Sequence, residues 1–125
     1  VQYDHPDLAA NMWTNPGEIA GDLIDNDGNG YVDDVYGIDT SGTGDSDPMD
    51  DNGHGTHVAG IIGAVGNNNQ GVTGVNWNVK IMALKYLDST GNGNTSDAIT
   101  LLNYVYTMKT TKGIDIRLTN NSWGG

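Results

Sequence analysis

A histidine set between two glycines, in Asp51-Asn52-Gly53-His54-Gly55-Thr56-His57-Val58-Ala59-Gly60, constrains this chain more than any other stretch. Small and apolar residues follow at once: Val58, Ala59, Ile61, Ile62, Ala64 and Val65. The spacing predicts a loop feeding a buried helix, with His54 in its first turn. Gly53 and Gly55 let other backbone, or a substrate, come close to the ring. The positive end of a helix dipole disfavours an imidazolium, so a ring placed there suits the neutral, proton-accepting role of a general base. His57 falls one turn later on roughly the same face. The pair therefore also offers two nitrogens to a metal, although no third ligand stands in a register such as His-Glu-x-x-His.

The rest of the composition limits what can surround that helix. Only 36% of the 125 residues are hydrophobic and 19 are glycine, which predicts at most one domain, a modest core and long loops. A net charge of −11 argues against nucleic acid and anionic membranes as partners. With no cysteine, neither disulfides nor thiol chemistry operate. No run is long and apolar enough to cross a membrane, and no signal-peptide pattern is present.

The aspartates cluster in glycine-rich loops, which points to hard cations. In Asp25-Asn26-Asp27-Gly28-Asn29-Gly30-Tyr31, oxygen side chains fall at positions one, three and five and glycine at six. That is the front half of an EF-hand-type loop, with the Tyr31 carbonyl at position seven. Position twelve is Tyr36 and not Glu, so Asp34, or else Asp33, has to close the shell. No helix pair flanks the stretch; it is a calcium loop or a solvated acidic turn. A second acidic loop runs from Thr40 to Asn52.

Between these loops the pattern predicts a few regular elements. Residues 8–21 read as surface loop with a short helical turn. Val35 to Asp39 and Val79 to Leu87 read as strands. Ser96 and Asp97 cap a helix whose core face is Ala98, Ile99, Leu102, Val105, Tyr106 and Met108, ended by Gly113. Ile114, Ile116 and Leu118 alternate as a further strand, giving a strand–helix–strand parallel crossover.

The run Asp51, Gly53 to Gly60 resembles the histidine block of the subtilisin-like serine proteases, the subtilases, and the resemblance extends from Tyr3 to Gly125. It implies a partial α/β fold, a parallel sheet flanked by helices with long calcium-binding loops. It also implies that the chain is part of a single catalytic domain, cut at both ends, of a secreted, calcium-stabilised serine endopeptidase acting on peptides. His54 would be the triad base and His57 a structural residue. The Asp-Thr-Gly block with the triad aspartate would lie before Val1, and the Gly-Thr-Ser block with the nucleophile far downstream. One triad member of three predicts that the 125 residues alone are inactive and need the remainder of the catalytic domain.

Carried over position by position, the resemblance implies two sets of calcium ligands. One is Asp7 with the Val65, Gln70 and Val72 carbonyls and the Asn68 side chain. One is Asp39, Asp45, Asp47 and the Met49 carbonyl. A third set, Asp25, Asp27, Asn29, Tyr31 and Asp34, comes from the loop spacing above. The substrate would lie as a strand between Gly91-Asn92-Gly93 and Ser122-Trp123-Gly124, with Trp123 also facing S4. Two readings from other classes compete: a catalytically inactive calcium-binding module on the protease frame, and a metallohydrolase built on His54 and His57.

Overall fold

The computed structural model describes residues 1–42 and 44–124. Thr43 of the second acidic loop and Gly125 of the closing Trp-Gly-Gly lie outside them. In chain order come a 3₁₀ turn at Ala9–Asn11, strand β1 (Gly37–Asp39), helix α1 (His54–Gly63), strand β2 (Ala83–Lys85) and helix α2 (Thr95–Thr110). Two helices and a small parallel sheet are what a partial α/β domain should show. The expected helical turn within residues 8–21 is the 3₁₀ turn.

β1 and β2 pair in parallel, with Gly37 opposite Ala83, Ile38 opposite Leu84 and Asp39 opposite Lys85. Parallel neighbours need a crossover, and here it carries α1. Alternation along the strands then divides the core in two. Ile38 and Leu84 join Tyr86 and the inner face of α2. Ala83 points the other way and joins Leu8, Met12, Ala59 of α1 and Ala64 just beyond it. Each sheet face therefore has its own helix. Small residues let α1 come close: a Cβ on Gly63 would lie 2.3 Å from Cγ1 of Val79.

Several expected elements differ. The two apolar runs read as strands shorten to three residues each, extended by one isolated parallel bridge between Met12 and Ile81. Ile114, Ile116 and Leu118 form no strand: the Ile114 N–H turns back to the Met108 carbonyl at 3.0 Å, and Leu118 is exposed. Among the described residues nothing lies beside this segment to share a ladder, so alternation alone does not make it a strand and the predicted second crossover is not formed. α2 also sits in a different phase. It buries Ala98, Leu101, Tyr104 and Met108, while Ile99, Leu102 and Tyr106 are each more than half exposed. Ser96 and Asp97 do not cap it. The N-cap is Asn94, whose amide donates to the Asp97 carboxylate at 3.1 Å, and Asp97 sits in the first turn where the helix dipole favours an acid. α1 is less buried than its sequence implies, with Ile61 exposed.

Gly37 is the tightest point of the sheet. Its φ is +130° and a Cβ there would stand 1.8 Å from the Ala83 carbonyl oxygen. Gly37→Ala should therefore force the two strands apart and cost on the order of 3 kcal/mol. A shift of the urea midpoint smaller than half that amount would show that the β1–β2 contact is looser than described.

Candidate active site and acidic loops

His54 opens α1 directly after Gly53, which has a left-handed φ of +99°. Both His54 and His57 are exposed, and among the described residues no side chain hydrogen-bonds the His54 ring. Its backbone is held firmly. Asp50 accepts the N–H groups of Asn52 at 2.9 Å, Gly53 at 2.7 Å and Thr56 at 2.9 Å, together with the Thr56 hydroxyl. Burial pushes the Asp50 carboxyl up, but these donors outweigh it, the Thr56 hydroxyl first, and hold it well below its ordinary 3.8. The neighbouring acid Asp51 meets Lys85 Nζ at 2.8 Å, and Asn52 donates its amide to the Ser89 carbonyl at 2.9 Å. The loop carrying His54 is thereby tied to β2 and to the 88–93 turn.

That turn contains the first expected substrate segment, Gly91-Asn92-Gly93. It closes on itself and does not run as an edge strand: the Asp88 N–H donates to the Asn92 carbonyl at 2.8 Å. The Asp88 carboxylate accepts the Thr90 hydroxyl and the Thr90 and Asn92 N–H groups. The second segment, Ser122-Trp123-Gly124, is exposed, with the Asn120 amide donating to Ser122 Oγ at 2.8 Å. Both segments meet Tyr86. The Trp123 ring stands edge-on to it at 5.4 Å, and a Cβ on Gly93 would come within 2.5 Å of the Tyr86 carbonyl oxygen.

The Asp7 set assembles across the chain. Asp7 is 3% exposed; its carboxylate accepts the Asn68 amide at 2.7 Å and the Val72 N–H at 2.8 Å, and its carbonyl accepts the Val65 N–H at 2.9 Å. These donors, Asn68 first, hold its carboxyl below the usual range. Gly71 has a φ of +45°, and a Cβ there would lie 2.3 Å from Asp7 Oδ2, so only glycine leaves the space in front of the carboxylate open. Gln70 joins through its N–H, which donates to Asn68 Oδ1 at 3.2 Å.

The Asp25 loop is built differently from the spacing argument. Asp25 folds back onto the N–H groups of Gly30 at 2.8 Å and Asn29 at 3.0 Å, the Gly30 bond chiefly holding its carboxyl low. Asn29 Oδ1 accepts the Tyr31 N–H at 2.8 Å, and its amide nitrogen donates to Asp34 at 2.9 Å and Asp27 at 3.3 Å. Asp34 is completely buried; its carboxylate also accepts Asn15 at 3.1 Å and the Tyr104 hydroxyl. Burial raises its pKa, against the pull of those donors. Glu18, which no spacing rule singles out, completes the cluster. It accepts the N–H groups of Asn26, Asp27 and Asp33, and brings an oxygen within 4.8 Å of oxygens of Asp27 and Asp34. Asp27 Oδ1 is buried with no hydrogen-bond partner. A carboxylate with one orphaned oxygen, grouped with two further acids, fits a hard cation.

The Asp39 set is already partnered. Asp39 pairs with Lys85 at 2.9 Å, Asp45 accepts the Asp47 N–H at 2.8 Å, and Asp47 accepts the Tyr3 hydroxyl at 3.0 Å and the Met49 N–H at 3.1 Å. Among the described residues these carboxylates form no cluster within 4.8 Å. The sequence held a hint of the missed Asp50: an acid four residues before His54 and a Thr two residues after it bracket a helix start, as caps do. Lys85, inside an apolar run, carried no such hint.

Comparison with known proteins gives the family of the sequence. The profile of the Subtilase family matches residues 1–125. Subtilisin-like protease 1 of Plasmodium falciparum (isolate 3D7) is 47% identical over 108 residues, 83% of this chain and 15% of that protein. Halolysin of Haloferax mediterranei is 37% identical over 97 residues, 78% of the chain and 15% of the protein. Thermitase of Thermoactinomyces vulgaris is 38% identical over 95 residues, 74% of the chain and 25% of the protein. The chain spans less than a fifth of the length of the Plasmodium relatives it matches.

Asp50 supplies a test of the His54 platform. A carboxylate whose folded pKa is depressed contributes stability in full above its unfolded value and loses it as pH falls through the folded one. Asp50→Ala should cost about 1–2 kcal/mol at neutral pH and flatten the loss of stability below pH 3.8. An unchanged acid limb would remove Asp50 from this role. The histidine block set at the head of its helix and the match along all 125 residues lead to one conclusion: the chain belongs to the subtilase family.

Proposed function

We propose that this chain is the portion of a secreted, calcium-stabilised subtilisin-like serine endopeptidase that supplies the general base, His54. The observation that carries the reading is the position of His54: first residue of α1, exposed, and fixed through Asp50, Asn52 and Lys85 to the strand and turn that would meet a peptide. An imidazole held this way accepts the proton of a serine hydroxyl as it attacks the scissile carbonyl, then returns it to the leaving amine. The serine, and the aspartate that orients the ring, would come from outside these residues. His57 would be structural. Peptide would lie against Gly91, Asn92 and Gly93 on one side and Ser122, Trp123 and Gly124 on the other, with Tyr86 between them; the 88–93 turn would open into an edge as the peptide pairs with it.

Calcium would supply charge compensation for carboxylates that the fold crowds together. Asp7, Asn68 and the Val65, Gln70 and Val72 carbonyls would hold one ion in the space Gly71 leaves. Asp27, Asp34 and the added Glu18 would hold another, with Asp25, Asn29 and Tyr31 shaping the loop. An ion at Asp39, Asp45, Asp47 and Met49 would first have to displace Lys85 from Asp39. Loops of this kind suit the millimolar calcium found outside cells, which supports secretion. Among the described residues no helix is long and apolar enough to cross a membrane.

In the complete protease, His54→Ala should lower kcat for peptide hydrolysis at least ~10⁴-fold, whereas His57→Ala should affect stability more than kcat. The 125 residues alone should hydrolyse nothing. Full activity in His54→Ala protease would show that His54 is not the base, and activity that survives a serine-directed reagent but is lost to a zinc-selective chelator would favour the metallohydrolase. No activity in the wild-type protein with calcium present would favour the inactive calcium-binding module.

A further inference from the structure

Lys112 reaches into the acidic loop instead of into solvent. It lies two residues beyond α2, yet its Nζ donates to the Asp27 carbonyl and stands 3.8 Å from Asp27 Oδ1, the buried oxygen that has no hydrogen bond. Its side chain is 21% exposed and that of Asp27 10%. One carboxylate oxygen each of Glu18, Asp27 and Asp34 lies within 4.8 Å of the others. The chain has only five Lys and Arg residues. The other four are engaged elsewhere: Lys80 with the Ala10 carbonyl, Lys85 with Asp39 and Asp51, Lys109 with the Ile116 carbonyl, and Arg117 with Asp115. The other contacts to these carboxylates come from neutral donors, the amides of Asn15 and Asn29, the Tyr104 hydroxyl and backbone N–H groups.

We propose that Lys112 is a tethered cation that competes with a divalent metal ion for the Glu18–Asp27–Asp34 cluster. The inference rests on the calcium reading of this loop and adds a residue that acts against it. At 3.8 Å the ammonium is too far to hydrogen-bond Oδ1, so it offsets the carboxylate charge without satisfying the oxygen. A metal ion bound to Oδ1 would sit next to that ammonium, and like charges a few ångströms apart in a partly buried site repel strongly. The ion therefore displaces Lys112 on binding. Without metal, the lysine keeps the acids from repelling one another and pins the chain leaving α2 to the loop. With metal, that pin is released, and the segment leading to Ser122-Trp123-Gly124 loses its first anchor.

The test uses the complete protein carrying His54→Ala to prevent self-cleavage, with calcium titrated by calorimetry. Terbium luminescence serves as the local probe, because the Tyr104 hydroxyl donates to Asp34 of the cluster and its ring stands edge-on to Tyr31. Lys112→Met, which keeps the apolar stem, should tighten the site about tenfold. It should lower the thermal midpoint in chelator but not in saturating calcium. Lys112→Arg, which keeps the charge, should stay within about twofold of wild type. Asp27→Asn should abolish the terbium signal with or without Lys112→Met. If Lys112→Met leaves the affinity unchanged or weakens it while Asp27→Asn abolishes binding, the loop binds metal and the competition is overturned. If Asp27→Asn leaves the signal intact, both the competition and the calcium reading of this loop fall.

Discussion

A carboxylate with no exposure to solvent, Asp34, holds the first loops of this structure to α2. An ion that deep is tolerated only when donors surround it. Asp34 gathers them from three places: Asn15 in the first loop, Asn29 in the acidic loop and Tyr104 on the inner face of α2. Tyr104 in turn stands edge-on to Tyr31 at 5.3 Å, so the polar anchor and the apolar core share a ring. Asp7 ties the N-terminal segment to the 67–73 loop, and Asp50 ties the histidine block to the first turn of α1. A chain with so few apolar residues stays folded by spending backbone and amide donors on acids.

That economy decides what the sequence made legible. The histidine block was readable because its function depends on local geometry: a loop, a left-handed glycine and a helix start, all within ten residues. The convergence of Asp7 and Asn68 was readable only through resemblance, since nothing in either stretch names the other. The phase of α2 was not readable. Its apolar residues surround the whole helix, and periodicity cannot say which stripe is covered until the sheet is in place. Ile38 and Leu84 select Leu101 and Tyr104, and leave Ile99, Leu102 and Tyr106 outward. The third strand failed for a related reason: Ile114, Ile116 and Leu118 alternate correctly, but a strand exists only beside a partner. Glu18 and Lys112 approach Asp27 from nine residues before and eighty-five residues after, beyond the reach of any spacing rule.

The same arrangement links the candidate chemistry to its scaffold. Lys85 sits where the sheet, the second acidic loop and the His54 loop meet, bridging Asp39 and Asp51 at 2.9 and 2.8 Å. Its charge keeps both acids together and keeps Asp39 from serving a metal at the same time. Asn52 then carries the position of His54 to Ser89, at the start of the turn that would face a peptide. The loop that carries His54 is thus referred to β2 through Lys85 and to the 88–93 turn through Asn52.

The most direct test of His54 as the general base of a serine protease is labelling by a fluorophosphonate, read by intact mass, on the complete protein with and without His54→Ala. The account predicts a single adduct in the wild type that His54→Ala abolishes or slows by orders of magnitude, and none on the 125 residues alone. Labelling that proceeds equally well without His54, or a calcium-loaded wild-type protein that takes up no label, would contradict it.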